Sequence, residues 1–208
     1  RWHTAIYDPV RDRMIVFAGF DGDLYLNDVW ALTLSGTPTW SELSPAGTPP
    51  SPRYRQSAIY DPVRDRMVIF GGWFSGDGYN DTWALSLSGT PTWTELLPDG
   101  TPPSRRISHT AIYDPVRDRM IVFGGIDDVL RNDVWSLSFA DTLAWTELSP
   151  SGTPPLERYI HTAVYDPVRD RMLVFGGFDV AGYADDTWAL ALAGSTSWTE
   201  LQPGGPLP

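Results

Sequence analysis

The chain is 208 residues long, the size of one large domain or two small ones, with 15 basic residues (all Arg), 26 acidic ones and a net charge of −11. That balance excludes a general nucleic-acid binder, which needs a basic surface to displace counterions. The absence of Cys excludes disulfides, thiolate metal sites and a cysteine nucleophile. A hydrophobic content of 42% supports a core, yet no apolar stretch nears the roughly 20 residues of a membrane helix. The sequence opens without an initiator Met or a leader, so a soluble, mature or excised piece is expected, its compartment undetermined.

Self-similarity organises the rest. The octet Tyr-Asp-Pro-Val-Arg-Asp-Arg-Met occurs four times unchanged, starting at Tyr7, Tyr60, Tyr113 and Tyr165. Trp30, Trp83, Trp135 and Trp188 keep the same step, as do Trp40, Trp93, Trp145 and Trp198. The units fill residues 1–208 as one repeat domain, with blocks near 1–46, 53–99, 106–151 and 158–208.

Within a unit the signals are all β. The segment His3 to Tyr7, small and β-branched, reads as a short first strand. Asp8-Pro9 opens a turn, because Pro fixes φ and the Asp side chain bonds the backbone that follows. Met14 to Phe17 is a continuous apolar run, the mark of a second strand buried on both faces. It ends at Ala18-Gly19, and at Gly-Gly in the other units. Asp28 to Leu34 alternates with period two and predicts a third strand with Trp30, Leu32 and Leu34 on one face. After Ser-Gly-Thr-Pro, Trp40 to Leu43 is a short outer strand whose Glu42 suits a sheet edge. A Pro-rich link follows, and nothing shows a helical period.

Four strands per unit, a Gly pair after the second strand and two Trp ten residues apart, four times over, resemble the kelch repeat. The resemblance implies an all-β propeller of four-stranded antiparallel blades, four per chain. It departs from the pattern at Ala18, which replaces the first Gly, and at Leu130-Arg131, where other units carry Tyr25, Tyr79 or Tyr183. Kelch propellers usually have more than four blades, and flat sheets diverge less in a larger ring. Every blade is whole, so the exposed faces of the first and last would be large apolar patches. An eight-bladed ring closed by two head-to-tail copies is therefore expected, the alternative being a four-bladed monomer.

The resemblance also sorts the loops. Those before the first strand and after the second emerge on one face, called here the loop face; the octet turns lie on the other. Every Arg outside the octets falls on or beside the loop face. The functional reading makes Arg53, Arg55, Arg105, Arg106 and Arg158 anchors for anionic or acidic-peptide ligands, since Arg holds carboxylates in two bonds. Trp2, Trp73, Tyr25, Tyr79 and Tyr183, which differ between units, would add apolar contacts, with Phe20, Phe74 and Phe178 beside them. The competing reading has these Arg pairing with nearby Asp to stiffen the loops, and the aromatics capping the blades. The repeated Trp, and Asp28, Asp81, Asp133 and Asp186 two residues before the first Trp set, read as structural.

His3, His109 and His161 share one repeat position, too dispersed for a common metal, so no metal and no cofactor are expected. No nucleophile–base pair or phosphate loop is present. A non-catalytic binding scaffold is expected, with a partner protein or peptide, a second copy of itself, no nucleic acid and no membrane. A propeller enzyme or carbohydrate-binding module is the weaker alternative. The sameness of the units also fits an amplified or engineered blade array with no selected ligand.

Overall fold

The computed structural model describes residues 1–205; the last three residues of the expected 158–208 block lie outside them. Among the described residues no helix is long and apolar enough to cross a membrane. The first repeat holds β1 (Thr4–Asp8), β2 (Arg13–Phe20), β3 (Tyr25–Thr33) and β4 (Trp40–Leu43). The second holds β5 (Ser57–Asp61), β6 (Arg66–Phe70), the small hairpin β7 (Trp73–Phe74) and β8 (Asp77–Gly78), then β9 (Thr82–Ser86) and β10 (Thr92–Leu96). The third holds β11 (Thr110–Asp114), β12 (Arg119–Ile126), β13 (Leu130–Ser138) and β14 (Ala144–Leu148). The fourth holds β15 (Thr162–Asp166), β16 (Arg171–Asp179), β17 (Gly182–Ala191) and β18 (Ser197–Leu201). Each repeat folds into one antiparallel four-stranded sheet, with β7–β8 standing outside the second. The all-β array of four blades expected from the sequence is what the chain builds.

The octet fixes the inner hairpin of every sheet. Asp8 is fully buried and accepts from the backbone N–H groups of Val10 and Arg11 and from the guanidiniums of Arg11 and Arg13. Asp12 takes a left-handed backbone, φ 47°, as do Asp65, Asp118 and Asp170. The resulting register repeats without change: Tyr7 faces Met14, Tyr60 faces Met67, Tyr113 faces Met120 and Tyr165 faces Met172.

In the first, third and fourth repeats the second strand runs past the Gly pair expected to end it, whereas β6 of the second repeat stops at Phe70, just before its pair. A bulge there shifts the register between Phe17 and Gly19, Phe123 and Gly125, and Phe175 and Gly177. The first residue of each pair is left-handed: Ala18 at φ 61°, Gly71 at 69°, Gly124 at 62° and Gly176 at 65°. An L side chain there is strained by roughly 1–2 kcal/mol, only partly offset by the entropy glycine would lose on folding. Ala18→Gly is therefore expected to stabilise the protein by about 0.5–1 kcal/mol, measurable by urea unfolding. Destabilisation would show that the buried Ala18 methyl matters more than the backbone.

The chain forms two compact units, one of Arg1–Leu97 with Arg105–Ile107, the other of Pro98–Ser104 with the residues from Ser108 onward. In the first, Ile15, Phe17 and Val29 pack with Met67, Ile69, Leu85 and Leu87, and Trp93 lies 4.9 Å from the Phe17 ring. In the second, Ile121, Phe123 and Val134 pack with Met172, Val174 and Leu190, and Trp198 lies 4.9 Å from Phe123 at the same 56° tilt. Charge crosses each pair of sheets as well. Arg11 grips Asp65 (2.6 Å) in the first unit, and Arg117 grips Asp170 (2.6 Å) in the second.

The linkers cover the outer edges. The Trp93 backbone N–H donates to the Ala46 carbonyl, and the Trp198 backbone N–H to that of Ser151, each at 2.9 Å. Gly47 can sit there only without a side chain, because a Cβ would come 2.6 Å from the Trp93 carbonyl oxygen. Unpaired strand edges are thereby reduced.

Candidate binding face

The loop face is built from the link preceding each first strand and the loop following each second strand. Backbone bonds lock the two together. The Arg53 N–H donates to Leu26 O, and its carbonyl accepts from Gly19 N–H; Arg158 does the same with Arg131 O and Gly125 N–H. Immediately before the Gln or His position of each repeat, one site recurs with a left-handed backbone and no glycine: Trp2 (φ 62°), Arg55 (60°), Ser108 (54°) and Ile160 (53°). In the first unit Arg55 N–H donates to Trp2 O, and in the second Ile160 N–H donates to Ser108 O, both at 2.9 Å. A strained backbone that carries a different side chain in each unit is a feature of functional loops. Nothing in the residue types announces it.

Three of the expected anchors turn inward. Arg53, Arg106 and Arg158 are 0%, 1% and 1% exposed. Arg53 places two nitrogens on Asp81 (2.7 and 2.8 Å), and also donates to Gly71 O (3.0 Å) and Ser51 O (3.1 Å). Arg158 repeats the set with Asp186, Gly176 O and Leu156 O. In Arg53 and Arg158 the guanidinium donors are spent on the fold, the pairing with Asp that the competing reading of these loops expects. Burial opposes ionisation of Asp186, but Arg158 and the Trp188 N–H outweigh it and hold the carboxyl below its usual range. All four repeated Asp accept from the indole N–H two residues on, at 2.7 Å.

The remaining candidates separate by unit. In the first, Trp2, Tyr25 and Arg55 come together with Arg1, Phe20, Tyr54 and Phe74. Trp2 lies 6.1 Å from Phe20 and 5.3 Å from Tyr54, and Tyr25 stacks on Tyr54 at 5.2 Å. The guanidiniums of Arg1 and Arg55 each lie 4.6 Å from the Trp2 ring centre. Trp2 remains 40% exposed. Tyr79 instead packs its ring 4.3 Å from the buried Arg53 guanidinium, and Trp73 is half-buried in the hairpin that pairs with Tyr54. The Arg105 stem lies 3.2 Å from where a Gly78 side chain would begin. In the second unit Tyr183 stands 87% exposed beside Phe178, which also meets Tyr159. Arg131 pairs with Asp127; despite burial, that contact and the Val129 N–H hold Asp127 down at about 2.

Tyr54 was not foreseen from the sequence. Its signal was an aromatic directly after the strut Arg in two units, Tyr54 and Tyr159.

Comparison with known proteins decides the family. The KLHDC2/KLHL20/DRC7 Kelch-repeats domain matches residues 1–106 and 88–208. The chain belongs to the Kelch-repeat family. Similar proteins include a leucine-zipper-like transcriptional regulator 1 homolog of Drosophila melanogaster, 32% identical over 84% of this chain and 18% of that protein. Host cell factor 1 of Homo sapiens is 32% identical over 84% of the chain and 9% of its own length. The dynein alpha chain of the flagellar outer arm of Chlamydomonas reinhardtii is 31% identical over 92% and 4%. The chain thus spans under a fifth of the length of each of these relatives.

Proposed function

We propose that the chain is a non-catalytic binding scaffold whose loop face takes an acidic segment of a partner protein or peptide. The observation that carries this reading is Trp2, exposed, flanked by two guanidiniums and held on a strained backbone at the position where the units differ. An acidic side chain can accept from the Arg55 fork while its aliphatic stem lies on the indole. The Asp and Arg groups around it serve structural bonds and do not converge on one point, which favours binding over catalysis.

Titration with a fluorescent Glu-rich peptide containing one Leu tests it. Trp2→Ala or Arg55→Ala should weaken binding by about 2 kcal/mol, roughly 30-fold, as for a central anchor. Loss of the Trp2 ring, which packs on Phe20 and Tyr54, should cost only about 1–2 kcal/mol of folding stability and leave the variant folded. Unchanged affinity in both variants, or equal affinity for a Lys-rich peptide, would overturn the reading.

We also propose that two copies associate head to tail and close eight blades between them. The support is that the outer faces of the first and fourth sheets are open. Trp40 is 51% exposed and Val164 60% exposed, whereas Trp93, Trp145 and Trp198 are nearly buried.

A further inference from the structure

We propose that the fourth sheet of one copy docks on the first sheet of a second copy through a charged latch, Arg169 on Asp12, and a ring contact, Trp40 on Phe175. The inference rests on the head-to-tail reading above and names the groups that would hold it.

Each unit shows how one sheet receives the next. In the first, the turn Arg of the leading sheet (Arg11) reaches the turn Asp of the following sheet (Asp65), donating to both carboxylate oxygens at 3.1 and 2.6 Å. The second unit uses the same repeat positions, Arg117 and Asp170, at 3.2 and 2.6 Å. The ring contact is equally constant: Trp93 on Phe17 and Trp198 on Phe123, both 4.9 Å and 56°. Every sheet therefore has a leading face carrying Arg and Phe, and a following face carrying Asp and Trp.

The first sheet's following face and the fourth sheet's leading face hold these groups unused. Asp12 accepts the Tyr7 hydroxyl at 2.9 Å, and among the described residues no guanidinium pairs with it. The Arg169 side chain is 64% exposed, against 29% for Arg11 and Arg117, and its ion-pair partner is Asp166 in its own turn. Phe175 is half-buried where Phe17, Phe70 and Phe123 are 0% exposed. His3 is exposed, as is Thr162; inside the second unit the corresponding His161 and Thr110 meet at 2.9 Å.

The charges also choose the occupant. Two first sheets face to face would set Asp12 against Asp12, and two fourth sheets Arg169 against Arg169. Only a head-to-tail meeting pairs opposite charges and places an indole on a phenyl ring. A copy of this chain presents both halves.

The test is a pair of charge reversals. Arg169→Asp and Asp12→Arg each place like charges at the seam, and each alone should weaken self-association at least about tenfold. Mixed together, the two variants form seams of opposite charge throughout and should recover the wild-type mass by light scattering at micromolar concentration. If wild type is a monomer of 23.1 kDa, the head-to-tail reading itself fails. If wild type is dimeric but both reversals leave it so, the dimer stands and the latch is overturned. Should either reversal fail to fold, Trp40→Ala removes a ring that is half-exposed in one chain. It should dissociate the dimer without lowering the melting temperature of the monomer; an unchanged dimer would again overturn the proposal.

Discussion

Arg158→Ala should cost about 3–5 kcal/mol of folding stability, the largest loss expected from any single change on the loop face. The guanidinium is 1% exposed and satisfies Asp186 twice, together with the Gly176 and Leu156 carbonyls. Removing it leaves those acceptors facing a cavity, and takes from Asp186 its two-point partner while it keeps the Trp188 indole N–H, a backbone N–H and a partial contact with water. That residual hydration puts the expected loss near the lower end of the range. Arg158→Lys should recover little, because an ammonium cannot make the planar two-point contact. Calorimetry should show a fall in melting temperature on the order of 10 °C. A loss under about 1 kcal/mol would mean that the guanidinium is no strut.

Arg158 also marks where sequence reasoning stopped short. The octet turns, the Gly pairs and the Trp steps are each repeated chemistry with one structural solution, and the four sheets follow from them. A loop Arg has no such solution, since its position assigns it to a face but not to the inside or outside of that face. The legible signal was an interval: Arg53 precedes Asp81, and Arg158 precedes Asp186, by 28 residues in each case. A cation and an anion held at one spacing within a repeat point to a built pair. The contact between Arg11 and Asp65 was hidden for a different reason. Both belong to octets that look self-neutralising, yet Arg11 serves its own Asp8 and also the next sheet. The left-handed position of Trp2, Arg55, Ser108 and Ile160 carried no signal, because none of the four is a residue that favours such a backbone.

Acid should destabilise the protein in two windows, the first of them set by His161. This ring is 5% exposed and its Nε2 meets the Thr110 hydroxyl at 2.9 Å. Burial, aided by the positive charge of Arg158, pushes its pKa down to about 3. In the unfolded chain the same group titrates near 6.5. Between those values the unfolded state binds one proton more than the folded state, so stability falls on acidification by about 1.4 kcal/mol per pH unit. From pH 7 to pH 5 the His161 contribution amounts to a loss of about 2 kcal/mol. The carboxylates act lower. Arg117 holds Asp170 below its ordinary value, and Asp186 is depressed in the same direction by Arg158. Their stabilisation is present above about pH 4 and is lost as pH falls further through the folded-state values. His161→Gln separates the windows. Gln56 occupies the corresponding place in the first unit, where it donates to the Phe17 carbonyl at 3.2 Å, so the fold accepts a neutral amide there. Urea unfolding at pH 7 and pH 5 should show the variant losing about 2 kcal/mol less than wild type over that interval, and the difference should keep growing by about 1.4 kcal/mol per pH unit until the pH nears the folded-state value of about 3, below which only the carboxylate losses, common to both proteins, remain. Parallel losses in the two proteins from pH 7 to pH 5 would show that His161 takes up its proton in the folded state, and that its burial does not set the acid limit.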